Sequence, residues 1–201
     1  MIKTVIFDIG NVLVDYNWRG FFEQFDLEPE IFDRLSQASV LNEDWNEFDR
    51  GVLSTEEVLA LFRENDPEIA EVIDRVFENA RGLVTKRDYA IPWMKKLHAG
   101  GYQVLVLSNF SQKVLEDCSD AMDFLPYTDG GILSYREKVI KPMPEIYERL
   151  IAQNALVPEE CVFLDDLQQN LDGAAAFGIQ TILFTTKEQA EEELKKLGVA
   201  L

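Results

Sequence analysis

The sequence of 201 residues predicts an α/β fold: a doubly wound parallel sheet carrying an inserted, all-α helical-bundle cap. Three observations predict it. Apolar runs recur at 4–7, 103–107, 161–164 and 180–184 without polar alternation, as in strands covered on both faces. Segments of helical period with recognisable ends stand before the last three runs. Residues from about 16 to 86 break this rhythm, keeping the helical period while offering no convincing strand.

Taken in order, the first run is Thr4-Val5-Ile6-Phe7, stopped by Asp8. Together with Met1-Ile2-Lys3 it superficially resembles a secretory leader. Asp8 interrupts the apolar stretch and no small-residue cleavage site follows, so it is read as part of the mature fold. Four helices are expected next: around Phe21–Phe25, from Ile31, from Ser54, and from Asp66-Pro67. Ser54-Thr55-Glu56-Glu57 has the form of a capping box, in which the serine oxygen accepts from the Glu57 amide and Glu57 reaches back. Asp66 as cap with Pro67 at the first helical position is a second start signal. These helices define a cap of residues 16–86 inserted into a core of residues 1–15 plus 87–201.

A helix from Pro92 to His98, stopped by Gly100-Gly101, leads into the second run. Pro144 to Asn154 precedes the third run, and Asn170 to Phe177, closed by Gly178, precedes the fourth. Thr186 can cap a last helix running to about Lys196 before Gly198.

Composition narrows the function. With 47% hydrophobic and 28% charged residues the chain is neither disordered nor membrane-like, and no apolar run has transmembrane length, so no membrane partner is expected. A net charge of −18 argues against nucleic acid, whose phosphates need clustered Lys and Arg. Any anion bound here needs local positive charge from a metal or a lysine. A single histidine, His98, excludes mechanisms built on paired histidines; it is expected at a helix end, without a catalytic role. Cys118 and Cys161 lack metal spacing and are read as buried free thiols in a reducing, cytoplasmic setting.

In an open α/β sheet, ligands bind beyond the carboxyl ends of the strands. The first run ends at Asp8, followed by Ile9-Gly10-Asn11. The second ends at Ser108-Asn109 and the third at Asp165-Asp166, with Lys141-Pro142 in the connection between them. Singly, each is ordinary turn or loop chemistry. Together they can converge. Three carboxylates at one place repel unless neutralised, and an all-oxygen ligand set favours a hard cation such as Mg²⁺.

These residues carry a resemblance. Val5-Ile6-Phe7-Asp8-Ile9-Gly10-Asn11-Val12 resembles motif one of the haloacid dehalogenase superfamily, and Val106-Leu107-Ser108-Asn109 resembles motif two. Lys141-Pro142-Met143-Pro144-Glu145-Ile146-Tyr147 resembles motif three. Val162-Phe163-Leu164-Asp165-Asp166, with Asn170, Ala174 and Gly178, resembles motif four. The joint pattern spans nearly the whole chain, and the inserted helices match the family's cap after motif one. The resemblance implies a Rossmann-like core and a Mg²⁺-dependent phosphatase of small phosphorylated metabolites. In it Asp8 is the nucleophile that becomes an aspartyl-phosphate, Ser108 binds a phosphoryl oxygen and Lys141 neutralises the transferring group. Asp8, the Gly10 carbonyl and Asp165 hold the metal, with Asp166 in support. Gly10, Asn11 and Asn109 line the substrate site.

One position departs from the family pattern. Most of its phosphatases carry a second Asp two residues after the nucleophile, which protonates the leaving alcohol and then activates water. Here that residue is Gly10, as in a subgroup that includes bacterial sugar-1-phosphatases. Asp15, at the mouth of the cap linker, is one candidate for the missing acid/base, and a bound water is another. The paired Asp165-Asp166 argues against the metal-independent dehalogenases of the family. The absence of lysine between Tyr16 and Thr85 argues against phosphonate hydrolysis. In the cap, Asn17, Trp18, Arg19, Phe21, Phe22, Asp44, Trp45, Phe48 and Arg50 read either as helix core or as a substrate platform, core being the commoner use of such a stripe. Arg19 and Trp45 are the two taken as substrate contacts. The leading expectation is a sugar-phosphate phosphatase. The alternative is a phosphate-binding or regulatory protein of the same fold, turning over little because Gly10 replaces the acid.

Overall fold

The computed structural model describes residues 1–201. Its strands are β1 Thr4–Phe7, β2 Val14–Tyr16, β3 Val84–Lys86, β4 Gln103–Ser108, β5 Gly131–Leu133, β6 Cys161–Asp165 and β7 Gln180–Leu183. Five of them form one parallel sheet in the order β5-β4-β1-β6-β7. The order reverses beside β1, and Phe7 lies level with Val106 of β4 and Leu164 of β6. The residues that follow these three strands therefore emerge side by side at the switch point.

Successive side chains of β1 point to opposite faces, and both faces are covered. Val5 and Phe7 join a large apolar cluster with Trp93, Met94 and Leu97 of helix α6 (Ala90–Ala99) and Leu194 of α11 (Lys187–Lys196). Ile6 joins a smaller cluster with Ile146 and Leu150 of α9 (Pro144–Gln153) and Ala174 of α10 (Gln168–Ala175). This is a doubly wound α/β core with helices on both sides. Thr186 caps α11 as its position implied, its hydroxyl accepting from the Gln189 amide at 3.2 Å.

Five helices lie between β2 and β3: α1 Trp18–Glu23, α2 Pro29–Ala38, α3 Trp45–Arg50, α4 Thr55–Asn65 and α5 Ala70–Phe77. Their inward residues Phe21, Phe22, Leu35, Phe48, Phe62 and Phe77 belong to the same large cluster as Phe7 and Trp93, so apolar packing runs unbroken from the sheet into these helices. Both halves of the Ser54–Glu57 capping box are formed. At Asp66-Pro67 the structure differs from expectation. Pro67–Ile69 is a 3₁₀ turn leading into α5, and Asp66 makes no cap hydrogen bond. Its carboxylate is taken by Arg34 of α2, whose Nε and Nη2 donate at 2.7 and 2.6 Å, a bidentate geometry stronger than one cap bond.

Residues 16–86 are also not free of strand. Tyr16 pairs with Val84 and Val14 with Lys86 in a two-stranded antiparallel ribbon, through which the chain enters and leaves the helical layer side by side. Strand β5 was likewise not expected. Its first residue, Gly131, has φ +126° and lies so close to β4 that a Cβ would stand 2.0 Å from the Val106 carbonyl oxygen. The short helices α7 (Gln112–Asp117) and α8 (Ser134–Glu137) complete the chain. Both cysteines are free and buried. No helix is long and apolar enough to cross a membrane.

Candidate active site

The carboxyl ends of β1, β4 and β6 open into a cleft of about 590 Å³ roofed by the helical layer. Asp8 leaves β1 only 7% exposed, its amide donating to the Leu164 carbonyl at 2.8 Å. Lys141 enters from the connection before α9 at 3% exposure. Its ammonium stands 2.6 Å from Asp165 Oδ2 and 2.9 Å from Asp8 Oδ1. The contact to Asp8 is ionic and poorly directed, so Oδ1 of Asp8 is left buried without a well-formed hydrogen bond. The Phe163 ring lies beneath the ammonium, 5.3 Å from its centroid.

Asn109 fixes Lys141 through its backbone: the Asn109 amide group donates to the Lys141 carbonyl at 3.1 Å, and Oδ1 accepts from the Lys141 N–H at 2.7 Å. Expected as a substrate contact, Asn109 lines the cleft with both ends of its side chain engaged by Lys141. Asp165 is fully buried. It accepts from the Leu167 amide at 2.8 Å and from Asn170 Nδ2 at 3.1 Å to each oxygen. Asp166 faces the cleft and accepts from Asn11 Nδ2 at 2.9 Å, while Asn11 Oδ1 accepts from the Tyr16 amide at 3.2 Å. Asn11 sits at φ +54°, a conformation asparagine tolerates better than most residues. It thus joins the turn after β1, the end of β6 and the last residue of β2.

Electrostatics follow from this crowding. Burial raises the Asp8 carboxyl well above the ordinary range; Lys141 pulls it down and Asp165 pushes it further up. For Lys141, burial acts to lower its value, but Asp8 and Asp165 together outweigh that and hold the ammonium above the usual lysine range. Burial also raises Asp166, against the hydrogen bond from Asn11.

The chemistry of the donor set fits a divalent cation. Carboxylate oxygens of Asp8, Asp165 and Asp166 lie within 4.8 Å of one another, one Asp8 oxygen lacks a directed donor, and Lys141 supplies only one positive charge against three negative ones.

Of the residues singled out in the sequence, Asp8, Gly10, Asn11, Trp45, Ser108, Asn109, Lys141 and Asp166 line the cleft, and Asp165 buttresses it from beneath. Asp15 and Arg19 do not reach it. Asp15 lies on β2 with its carboxylate held by Arg87 at 2.7 Å (Nε) and 2.6 Å (Nη2), an ion pair that pins it to the base of the ribbon. The Arg19 guanidinium rests over the Trp18 ring, 4.3 Å from its centroid. His98 is on α6, 2.8 Å from Asp129, and plays no part in the cleft. Trp45 serves as both wall and core, lying parallel to Phe62 at 6.0 Å.

The cleft also contains residues not foreseen in the sequence: Tyr16, Asn46 and Asp49 from the cap side, with Phe110 and Gln169 from the core. Asp49 is the sole carboxylate reaching the cleft from the cap. Burial raises it to about 7, with the Asp8 charge adding and Lys141 opposing. Its signal in the sequence was only the Phe48-Asp49-Arg50-Gly51 stretch, which looks like any short amphipathic turn.

A family model described as haloacid dehalogenase-like hydrolase matches residues 2–178. The chain is 28% identical over 198 residues to a D-ribitol-5-phosphate phosphatase of Bacteroides thetaiotaomicron, covering 90% of this chain and 91% of that protein. It is 30% identical over 207 residues to mouse acyl-CoA dehydrogenase family member 10, covering 97% of this chain but only 19% of that much longer protein. Among solved structures, a HAD family enzyme of B. thetaiotaomicron in complex with magnesium and inorganic phosphate superposes with a TM-score of 0.68 at 22% identity, over 93% of this chain and 96% of that one.

Proposed function

This chain belongs to the haloacid dehalogenase-like hydrolases, and from that premise we propose that it is a Mg²⁺-dependent phosphoric monoester hydrolase of small phosphorylated metabolites, with Asp8 as nucleophile. The observation that carries the reading is the buried Asp8–Lys141–Asp165 cluster beneath an open cleft. Asp8 attacks phosphorus and the bond to the leaving oxygen breaks, leaving an aspartyl-phosphate that water then resolves. Lys141, locked by Asn109, balances charge on the nucleophile and on the equatorial oxygens as charge spreads over them. Ser108, buried at the end of β4, donates to one of those oxygens. Mg²⁺ held by Asp8, the Gly10 carbonyl, Asp165 and Asp166 would supply the remaining positive charge. Residues 16–86 act as the cap that shields the site from bulk water and selects the leaving group.

A sugar or polyol phosphate is the leading substrate class. The roof of the cleft offers Trp45 and Tyr16 as apolar platforms with Asn46 and Asp49 as hydrogen-bonding partners, and no lysine or arginine lines it beyond Lys141. It thus suits a hydroxylated leaving group without a second negative charge. The relative that acts on D-ribitol 5-phosphate supports the same class.

A panel of phosphate monoesters assayed with Mg²⁺, with EDTA and with Asp8→Asn tests this. Phosphate release that requires both Mg²⁺ and Asp8, and is fastest on polyol or sugar phosphates, is the expected result. Metal-independent hydrolysis, or full activity of the Asn variant, would exclude the mechanism. Tight binding of a phosphate mimic with no turnover would identify a binding protein instead.

A further inference from the structure

We propose that Asp49, reaching down from the cap, performs the proton transfers for which Gly10 has no side chain. It gives a proton to the leaving oxygen and later takes one from the water that resolves the aspartyl-phosphate. This rests on the phosphatase reading above and adds a second catalytic residue to it.

Five titratable side chains line the cleft: Asp8, Tyr16, Asp49, Lys141 and Asp166. Three are committed elsewhere. Asp8 is the nucleophile. Lys141 is bound between two carboxylates that hold its proton, and Asp166 accepts from Asn11. Tyr16 is half-buried with its hydroxyl unpartnered, but burial together with the Asp49 charge pushes that phenol far above the ordinary range, so it cannot cycle a proton near neutral pH. Asp49 alone has a carboxylate that no hydrogen bond or ion pair engages, and burial holds it close to neutral pH, where a group can both give and accept a proton.

Position supports the same assignment. A Cβ built on Gly10 meets nothing within 4 Å, so the wall where a carboxylate two residues past the nucleophile would stand is open space facing the same cleft as Asp49. Helix α3 is also seated by the core rather than loosely suspended. The hydroxyl of Ser134, fully buried at the start of α8, donates to the Asp49 carbonyl at 2.6 Å and accepts from the Phe110 amide at 2.9 Å. Phe110 lies two residues after Ser108. The segment carrying the phosphate-binding serine and the helix carrying Asp49 are therefore tied to one buried oxygen. Gly51, at φ +66°, closes α3 so tightly against Tyr135 that a Cβ there would lie 2.9 Å from the Tyr135 Cα.

The steps balance. As Asp8 Oδ bonds to phosphorus and the phosphorus–oxygen bond of the ester breaks, protonated Asp49 delivers its proton to the departing alkoxide and becomes a carboxylate. Water then attacks the aspartyl-phosphate, Asp49 takes its proton, the bond between phosphorus and Asp8 breaks, and phosphate leaves with both carboxyl groups back in their starting states.

The test compares wild type, Asp49→Asn and Asp49→Asn/Gly10→Asp in Mg²⁺, using p-nitrophenyl phosphate and the alkyl phosphate turned over fastest by the wild type. A nitrophenolate leaving group needs no proton, whereas an alkoxide does. Asp49→Asn is expected to keep a burst of about one equivalent of nitrophenolate, and then to stall because water is not activated. Its steady-state kcat on both esters should fall by about 10²–10⁴-fold, with KM for the nitrophenyl ester falling too, because breakdown of the aspartyl-phosphate then limits turnover. Gly10→Asp should restore at least about tenfold, by returning a carboxylate to the cleft. Asp49→Asn with kcat within about threefold of wild type, a loss confined to KM, loss of the burst, or no recovery in the double variant would each overturn the assignment. A wild type with neither burst nor phosphate release would instead fail the phosphatase reading itself.

Discussion

At the scale of single residues, burial and charge conflict at the base of the cleft. Asp8 is buried and Asp49 half-buried at the cleft wall, and both hold their protons more tightly in the folded protein than the ordinary value near 4, Asp49 to about 7. Between those limits the folded state binds more protons than the unfolded one. The contribution of these two groups is fully present below about pH 4 and is lost as pH rises through about 7. Thermal melts of the protein in EDTA should show Tm falling from pH 5 to pH 8. Asp49→Asn should flatten the slope, and Mg²⁺ should flatten it further by compensating ionised Asp8. Asp8, Ser108 and the Asp165-Asp166 pair were legible in the sequence because polar residues ending apolar runs stand out and converge at a switch point, whereas Lys141, in a connection, was marked only by the family resemblance. Asp49 was not, being one of 37 acidic residues in a chain of net charge −18, on a six-residue helix whose N-cap makes no side-chain hydrogen bond. Asp15 had the better position in the sequence and the worse one in space, since Arg87, distant in the chain, captures it.

At the scale of elements, helix α4 shows local sequence acting as expected. Ser54 Oγ accepts from the Glu57 amide at 3.3 Å, and the Glu57 carboxylate accepts from the Ser54 amide and from the Ser54 hydroxyl, each at 2.8 Å; these two donors hold Glu57 below the usual range. Ser54→Ala should cost about 1 kcal/mol and lower Tm by about 2–4 °C, read by calorimetry. Helix α5 shows the reverse: Asp66 and Pro67 spell a start signal, but the Arg34 fork outcompetes the cap, a tertiary contact that no local window contains. The short strands escaped for a similar reason. Three residues such as Val84-Thr85-Lys86 or Gly131-Ile132-Leu133 are too few to establish a period, and a leading glycine reads as a loop until its close approach to Val106 is seen.

At the scale of the molecule, the broken rhythm between 16 and 86 was enough to reveal an insertion, but not how it packs on the core. The apolar cluster joins them: Phe21, Phe62 and Phe77 belong to one packed set with Phe7, Trp93 and Val104. Trp18 and Trp45 report on the helical layer and Trp93 on the sheet. Single-tryptophan variants followed in urea should therefore unfold with coincident midpoints, as one cooperative unit. Separated midpoints would show the cap to be an independent folding unit.

The antiparallel ribbon has a bearing on how such a chain folds. Pairing β1 with β4 requires Phe7 to find Val106 across an intervening stretch of roughly 95 residues, a costly loop to close. Once Tyr16 has paired with Val84, the helical segment becomes a side excursion and the effective loop shrinks to roughly 30 residues, an entropic saving of about 1 kcal/mol. A three-residue clasp can thus set the order of assembly, closing the excursion before the central strands meet.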